Sequence, residues 1–315
     1  MLSIIIPAYN EEENIRKTAG VLSSILTAEK LDYELIFVDD GSTDGTWREI
    51  LMLSAEEDSA AAGSPIKGMR FSRNFGKEGA IFAGLRRAGG EAAVIIDCDL
   101  QHPPELIPEM VKFHRQGFEV VEAVKRTRGK EGLLYKLFAK LFYSAMKANS
   151  DIDLDKASDF KLLDRKVINA LLDMPERLTF FRALSSWVGF NRTRLEFNVQ
   201  KREKGKTKWS FRKLVKFALS NLTGFTYFPM QLMTFLSVIF MIFALGISVN
   251  TLVQYFHGVS AEGFTTVIIL VLITGSVIMF GLGILGYYIS KIYEEIKFRP
   301  RFIITQEAGF EENEQ

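Results

Sequence analysis

The most informative segment of the chain is Ala92-Ala-Val-Ile-Ile-Asp97-Cys98-Asp99-Leu-Gln101-His102-Pro103. Its first five residues are apolar and three of them are β-branched, which is typical of a strand buried on both faces. Two carboxylates and an amide follow at every second position, directly after the apolar run. Because ligands of open α/β sheets bind beyond the carboxyl ends of the strands, the segment predicts both a strand and a site at its end.

Similar apolar runs alternate with helical patterns on both sides of this segment. Such alternation of strands and helices indicates an α/β layer with a mostly parallel sheet. The predicted strands are Leu2–Ile6, Leu35–Val38, Ile66–Phe71, Ala92–Ile96 and Val120–Val124, and the predicted helices are Glu12–Leu26, Thr46–Leu53, Gly79–Ala88 and Glu105–Arg115.

A polar cluster follows each of the first four predicted strands. Because the carboxyl ends of parallel strands meet at one edge of a sheet, we expect these clusters to converge. The clusters are Pro7-Ala-Tyr9-Asn10-Glu11, Asp39-Asp40-Gly41-Ser42-Thr43-Asp44, Ser72-Arg73-Asn74-Phe75-Gly76-Lys77-Glu78-Gly79 and Asp97-Cys98-Asp99-Leu100-Gln101.

The fourth cluster permits a metal site or a simple turn. Asp97, Asp99 and Gln101 offer the hard oxygen ligands that Mg²⁺ or Mn²⁺ takes together with substrate phosphates. The same acids could instead cap the helix that begins after Pro103. The spacing alone leaves both interpretations open.

The first two clusters also permit two interpretations. Asp39 and Asp40 could accept hydrogen bonds from a base or a ribose, or could form an N-cap turn. Tyr9 could stack against a base or belong to the core.

Composition divides the chain into two unlike parts. The 39 Lys and Arg nearly balance the 38 Asp and Glu, which argues against a nucleic-acid-binding protein. A single Cys rules out an internal disulfide framework. Residues 229–290, however, contain only one charged side chain, Glu262. The charge-free runs 229–256 and 264–290 each exceed the roughly 20 residues that span a bilayer, so we expect two transmembrane helices rather than buried core helices.

The charges that flank these runs predict their orientation. Residues 201–216 hold eight basic side chains and one acid, whereas the connection 257–263 has no Lys or Arg. The positive-inside rule therefore places both termini in the cytoplasm. The first residues lack the basic region of a signal peptide, so we expect residues 1–225 to stay in the cytosol.

Two amphipathic stripes, in residues 133–146 and 211–222, are predicted to lie at the membrane interface, although each could instead face a core. The acidic end from Glu307 is expected to be mobile. The predicted domains are a cytosolic domain over 1–200, a basic segment with a juxtamembrane helix over 201–228, two transmembrane helices over 229–290, and a cytosolic tail over 291–315.

Together these motifs resemble the family 2 glycosyltransferases of GT-A fold. The segment 72–78, the basic segment Lys201–Trp209 and the two spans are similar to the polyprenyl-phosphate branch, which includes bactoprenol glucosyltransferases and dolichol-phosphate mannose synthases. The resemblance covers the chain to about Arg301. Cys98 departs from the small residue that is frequent between the two Asp.

The resemblance implies a Rossmann-like GT-A domain that transfers one sugar, with inversion, from a nucleotide sugar to a polyprenyl phosphate at the cytoplasmic face of a bacterial inner membrane. It implies Mg²⁺ or Mn²⁺ as the cofactor. UDP-glucose is the leading donor, and donors of GlcNAc, mannose or aminoarabinose stay open. It assigns nucleotide binding to Pro7, Tyr9, Glu11, Asp39, Asp40, Asp97 and Lys77 (or Arg73), metal binding to Asp97, Asp99 and Gln101, acceptor-phosphate binding to Arg126, Arg128, Arg202 and Lys208, and catalysis to Asp159 and Arg202.

The role of Asp159 as a base is open. A phosphomonoester has a second pKa of about 6 and is mostly dianionic near neutral pH, so it has little proton to give up. Asp159 could instead orient a sugar hydroxyl or stabilise an oxocarbenium-like centre.

Two other functions compete with this one. A processive polysaccharide synthase would need a Q-x-x-R-W motif, which Phe180–Trp187 does not match. A non-catalytic scaffold or flippase subunit would not need the intact set of Asp97, Asp99 and Gln101. The resemblance also implies a homo-oligomer, with a tetramer as one possibility. A separate flippase is expected, since the spans carry no charge to line a polar path.

Overall fold

The structure is a computed structural model of the chain and describes residues 1–58, 66–125, 158–175, 180–197, 228–258 and 263–310. They divide into two compact units. The first contains the described residues up to Phe197 together with the segment from Arg299 onward, and the second contains two long helices.

The first unit is built on one eight-stranded sheet. Its strands are β1 (Leu2–Ala8), β2 (Tyr33–Asp39), β3 (Ile66–Phe71), β4 (Ala92–Ile95), β5 (Val120–Lys125), β6 (Lys161–Asp164), β7 (Arg192–Phe197) and β8 (Ile304–Ala308). They follow the order β7-β5-β6-β4-β1-β2-β3-β8. Only β6 and β8 run against the direction of the other strands.

Helices follow or separate these strands along the chain. They are α1 (Glu12–Ala28), α2 (Thr46–Asp58), α3 (Lys77–Arg87), α4 (Ile107–Arg115, after a 3₁₀ turn over Pro104–Leu106), α5 (Arg165–Asp173), α6 (Phe181–Trp187), α7 (Phe228–Phe256) and α8 (Phe264–Ile296).

The mixed α/β fold predicted from the sequence is confirmed. Every side chain of β2 and of β4 is buried, as expected for strands covered on both faces. The five predicted strands and four predicted helices all occur, with ends that differ by a few residues.

Helix α3 packs against β1 without room for another carbon atom. A Cβ added at Gly84 would lie 2.3 Å from the Cγ2 atom of Ile5. This close approach brings the first turn of α3 to the carboxyl edge of the sheet, where the polar clusters lie.

The last strand corrects one expectation. The prediction of a mobile acidic end is wrong for Glu307 and Ala308, because β8 pairs antiparallel with β3. Arg87 forms a two-pronged ion pair with Glu307. A short edge strand with several polar side chains has the composition of a solvated tail, so local sequence does not reveal its pairing partner.

The second unit consists of α7 and α8, which contain apolar segments long enough to cross a membrane. Met233–Gln254 and Leu270–Ile296 have mean hydropathies of 2.3 and 2.1, and neither segment is buried within the protein. Length and composition are therefore those of two spans. The predicted interfacial stripes in residues 133–146 and 211–222 lie outside the described residues.

We expect Gly84→Ala to destabilise the protein although alanine favours helices. The gain of about 1 kcal/mol in helix propensity is outweighed by overpacking against Ile5, which typically costs about 1–3 kcal/mol. Gly20→Ala is the matched control, since Gly20 lies within α1 with nothing within 4 Å of an added Cβ. The control is expected to be neutral or stabilising.

The two variants are compared by unfolding of the purified full-length chain in detergent. Equal gains in stability for both would contradict the close packing of α3 on β1.

Candidate active site

The loops that follow β1 and β2 interlock at the carboxyl edge of the sheet. The backbone N–H of Asn10 donates to Ser42 Oγ at 2.9 Å, and the N–H of Thr43 donates to Asn10 Oδ1 at 2.9 Å. The N–H of Glu11 donates to Thr46 Oγ1 at 2.9 Å. The first two polar clusters therefore form one continuous surface.

Asp40 fastens the third cluster to this surface. Its carboxylate accepts the backbone N–H groups of Phe75 at 2.6 Å and of Gly76 at 2.9 Å. Burial raises the pKa of Asp40 in spite of these hydrogen bonds. Gly41 has a φ of +67°, and a Cβ there would lie 2.5 Å from the carbonyl carbon of Arg73, so the approach of the two loops requires glycine.

Asp39 is fully buried below the same loops. Its Oδ1 atom accepts the backbone N–H of Ser42 at 2.9 Å. Its Oδ2 atom has no hydrogen-bond partner among the described residues, and Arg70 Nε lies 3.4 Å from it. The carboxylate of this cluster that contacts the start of α2 is Asp44, which lies just before the N-cap position and accepts the N–H of Thr46 at 3.0 Å.

Three residues of the first cluster lie at the open edge of the sheet. Tyr9 is 45% exposed and does not belong to the core. Pro7 and Glu11 are half-buried, and Glu11 Oε2 accepts a hydrogen bond from Asn14 Nδ2. This position is compatible with nucleotide contacts, which remain a prediction for all three residues.

A compact charge cluster forms the centre of the edge. Lys77 Nζ lies 2.5 Å from Asp97 Oδ1 and 2.8 Å from Asp159 Oδ2. Arg182 binds Asp159 with both prongs, from Nε to Oδ1 at 2.7 Å and from Nη2 to Oδ2 at 2.8 Å. Asp159 reaches this edge because β6 runs antiparallel, so the residues before its start lie beside those that follow β4.

The charges of this cluster are strongly coupled. Burial alone would raise the pKa of Asp159, but Arg182 and Lys77 outweigh it and hold that pKa far below its ordinary range. Burial likewise opposes the charge of Lys77, yet Asp159 and Asp97 keep the pKa of Lys77 above its ordinary value. Asp159 is therefore an anion and Lys77 a cation at any physiological pH.

Glu78 lies beside the cluster, and its pKa is raised where that of Asp159 is lowered. Burial and the negative charge of Asp159 raise the pKa of Glu78 to about 7. Its Oε2 atom accepts the backbone N–H of Phe181 at 2.8 Å, at the start of α6. Glu78 thus joins the first turn of α3 to the helix that carries Arg182.

A buried polar network supports the cluster from behind. Lys161 Nζ donates to Ser185 Oγ at 2.8 Å and lies 3.1 Å from Glu122 Oε1. Glu122 accepts the backbone N–H of Ser158 at 3.0 Å, and Ser185 Oγ donates to the carbonyl oxygen of Arg182 at 3.2 Å. The network ties β5, β6 and α6 together, so the partners of Asp159 are fixed in place.

Sequence reasoning did not find Arg182, Glu122 or Lys161. For Glu122 a signal exists, because it places a charge inside the apolar run that predicts β5. Lys161 has none, because it is the first residue of β6, a short strand that was not predicted. Arg182 has no such local signal, since it belongs to a short helix 23 residues from Asp159 in sequence.

The residues proposed for a metal fit a divalent ion of the magnesium type. Asp97 is half-buried and Asp99 exposed at the end of β4, while the N–H of Gln101 donates to Asp99 Oδ1 at 3.1 Å. No group of three or more His, Cys, Asp or Glu among the described residues suits a metal. Two carboxylates suffice when substrate phosphates complete the shell of Mg²⁺. Cys98 is buried, and burial raises the pKa of its thiol to about 12.

The predicted acceptor-phosphate residues are not part of this geometry. Arg126, Arg128, Arg202 and Lys208 all lie outside the described residues. Their roles, including the catalytic role of Arg202, stay predictions.

The chain is similar to known glycosyltransferases along nearly its whole length. Residues 3–172 match the family described as Glycosyl transferase family 2. The chain is 37% identical to an uncharacterized glycosyltransferase of Synechocystis sp., over 98% of this chain and 96% of that protein. It is 32% identical to the bactoprenol glucosyl transferase of Shigella phage SfV, over 97% of this chain and 98% of that protein.

Similarity to solved structures is weaker. Glucosyl-3-phosphoglycerate synthase from Mycobacterium tuberculosis, in complex with Mn²⁺, uridine diphosphate and phosphoglyceric acid, is 20% identical with a TM-score of 0.44, over 69% of this chain and 74% of that chain.

We expect Glu78→Gln to change how stability depends on pH. The folded state raises the pKa of Glu78 from 4.5 to about 7, so it holds this proton more tightly than the unfolded state does. The resulting stabilisation is complete below pH 4.5 and is lost as the pH rises through 7. Glutamine keeps an oxygen for the N–H of Phe181 and does not titrate.

The measurement is the melting temperature of both full-length proteins between about pH 5 and pH 8. Relative to the variant, the wild type is expected to lose about 5 °C across this range, since 1 kcal/mol corresponds to about 2–4 °C in a domain of this size. Parallel curves for the two proteins would contradict the raised pKa.

Proposed function

Because the chain belongs to glycosyl transferase family 2 and is a glycosyltransferase, we propose that it transfers one glucosyl group from UDP-glucose to the phosphate of a polyprenyl phosphate. The observation that carries this proposal is the similarity to the bactoprenol glucosyl transferase of Shigella phage SfV. That similarity spans 97% of this chain, so it includes both the α/β unit and the apolar helices. The identity of the donor sugar and the placement of the reaction at the cytoplasmic face of the membrane also belong to this proposal.

The cations of the charge cluster match the diphosphate of a nucleotide-sugar donor. A nucleotide sugar leaves as a diphosphate, and its departure requires positive charge close to the leaving oxygen. Lys77 and Arg182 present two cations at the carboxyl edge, next to Asp97. Asp39 and Tyr9 lie at the same edge and are proposed to hold the nucleotide. The proposed acceptor atom is Asp39 Oδ2, which has Arg70 Nε at 3.4 Å and no hydrogen-bond partner among the described residues.

A divalent cation is proposed to be held by Asp97 and Asp99, with Gln101 beside them. When bound, it would neutralise charge on the diphosphate. The choice between Mg²⁺ and Mn²⁺ does not follow from two carboxylates, because both ions accept them.

The transfer exchanges one bond for another at the anomeric carbon. Its bond to the diphosphate oxygen breaks, and a bond to an oxygen of the acceptor phosphate forms. An acceptor that is already dianionic loses no proton in this step. The protein therefore has to bring two anions together, which positive side chains and a metal accomplish.

Asp159 is proposed to act as a positioning and electrostatic residue. A carboxylate with a pKa far below its ordinary range is a weak base. Both of its oxygens are occupied by Arg182 and Lys77. It holds these cations at the reaction centre, and its own charge favours a cationic sugar carbon in the transition state.

The apolar helices suit a lipid acceptor. The proposed arrangement keeps the α/β unit on the cytoplasmic side, with the basic residues of 201–216 near the headgroups. A homo-oligomer and a separate flippase for the product are further parts of the same proposal.

The proposal is tested with the full-length protein, labelled UDP-glucose and a polyprenyl phosphate in detergent. The expected product is a lipid that carries one sugar and extracts into organic solvent. Labelled UDP-GlcNAc and GDP-mannose are tested in parallel to identify the donor. Polymeric product would instead indicate a polysaccharide synthase, and no turnover with any donor would indicate a scaffold.

Asp159→Asn is expected to lower turnover about 10²-fold, because it removes the charge that holds two cations at the centre. Nucleotide binding, measured by titration with the donor, should change by less than about 3-fold (a difference below 1 kcal/mol). Asp173→Asn is the matched control, since Asp173 is exposed at the end of α5. Full turnover in Asp159→Asn would rule out a role for this carboxylate in the reaction.

A further inference from the structure

A second site is suggested by a half-open cavity in the α/β unit. Its volume is about 280 Å³, and none of Lys77, Asp97, Asp159 and Arg182 lines it. The walls come from the last turns of α3, the end of α5 and the segment after α8. They include Phe82, Arg86, Met174, Arg299, Arg301 and Phe302.

The cavity concentrates positive charge. Three arginines line it and no carboxylate does. Arg301 donates to the carbonyl oxygen of Met174 and lies over the ring of Phe82, 5.0 Å from its centre. Arg86 lies 5.9 Å from the ring centre of Phe302. Arg86 and Arg299 are both exposed, so an anion from solvent can reach them. Water screens the repulsion between such guanidinium groups, and an anion that joins them adds attraction.

The neighbouring arginine shows the contrast. Arg87 is neutralised by Glu307. Arg86 and Arg299 form no ion pair within the part of the chain that the structure describes. In the last turn of α3, Arg87 therefore pairs with a carboxylate, whereas Arg86, the residue before it, lines a cavity without carboxylates.

The ligand that matches this lining is a phosphate group. The planar guanidinium donates two parallel hydrogen bonds to phosphate oxygens, and arginine is favoured wherever phosphate is bound in this way. The aromatic rings hold two of the three arginines in place, so less side-chain freedom is lost on binding.

The length of the connecting chain sets an upper limit on the distance between this cavity and the end of the charge-free run. Arg299 follows Ser290, the last residue of the charge-free run 264–290, by nine residues. Nine residues reach at most about 30 Å. Lipid phosphates lie at the boundary of the apolar layer in which such a segment ends.

We propose that this cavity binds a phosphate group through Arg86 and Arg299, separately from the sugar-transfer centre. The headgroup of an anionic phospholipid and free inorganic phosphate present the same chemistry, and the experiment distinguishes these two sources. The site does not depend on which sugar is transferred, so its test uses no donor.

The test compares wild type with the double variant Arg86→Gln and Arg299→Gln, as full-length proteins in neutral detergent. Retained phosphatidylglycerol is counted by native mass spectrometry, and inorganic phosphate binding is measured by calorimetry. The matched control is Lys112→Gln with Arg115→Gln, which removes two exposed charges from α4. The melting temperature of each protein verifies its fold.

Wild type and control are expected to bind at least about tenfold more tightly than the double variant, a loss of about 1.4 kcal/mol. Binding of phosphatidylglycerol alone supports a headgroup site, and binding of inorganic phosphate also supports one open to free phosphate. Arg299→Lys, which keeps the charge without the planar fork, should lose part of the affinity even if the double variant is unstable.

Two results would overturn the proposal. One is equal binding of both ligands by wild type and the double variant. The other is an equal loss in the double variant and the control, because this would show that total charge rather than the cavity attracts the ligand.

Discussion

The centre of the α/β unit depends on the ion pairs that neutralise one buried carboxylate, Asp159. The side chain of Asp159 is only 7% exposed, and an isolated charge at such a depth would be costly. Lys77 and Arg182 remove that cost, and each comes from a different part of the chain. The start of α3, the approach to β6 and the start of α6 must therefore fold against one another before this carboxylate is stable. The same requirement places two cations at the carboxyl edge of the sheet, where we propose that the diphosphate departs.

Much of the fold, but less of the site, could be predicted from the sequence. Apolar runs identify β1 to β5. The runs of β1, β2 and β4 are nearly continuous because these strands are buried on both faces, whereas β3 and β5 contain charged residues. The polar residues after those strands follow from the geometry of the sheet. Arg182 escapes such reasoning, since its contact with Asp159 depends on where a short helix packs. Strands β6 and β8 escape it as well, because they are short and run against the main direction.

A residue in a predicted ligand-binding motif can also stabilise the local structure, and Asp40 is an example. Asp40 holds the backbone of Phe75 and Gly76, which immediately precede Lys77. Loss of activity on changing Asp40 would thus be compatible with a displaced lysine as much as with a lost nucleotide contact. The exposed ring of Tyr9 is better placed to report contact with a nucleotide.

The edge position of β8 constrains how the protein is made. This strand joins β3 only after both apolar helices have been synthesised, because it follows them in the chain. Until then the growing polypeptide presents β3 as an open edge, which other strands can join. The sheet is therefore completed only after both helices have been made. A chain that ends just after the second helix would retain the charge cluster around Asp159 and still be exposed to aggregation through the open edge of β3.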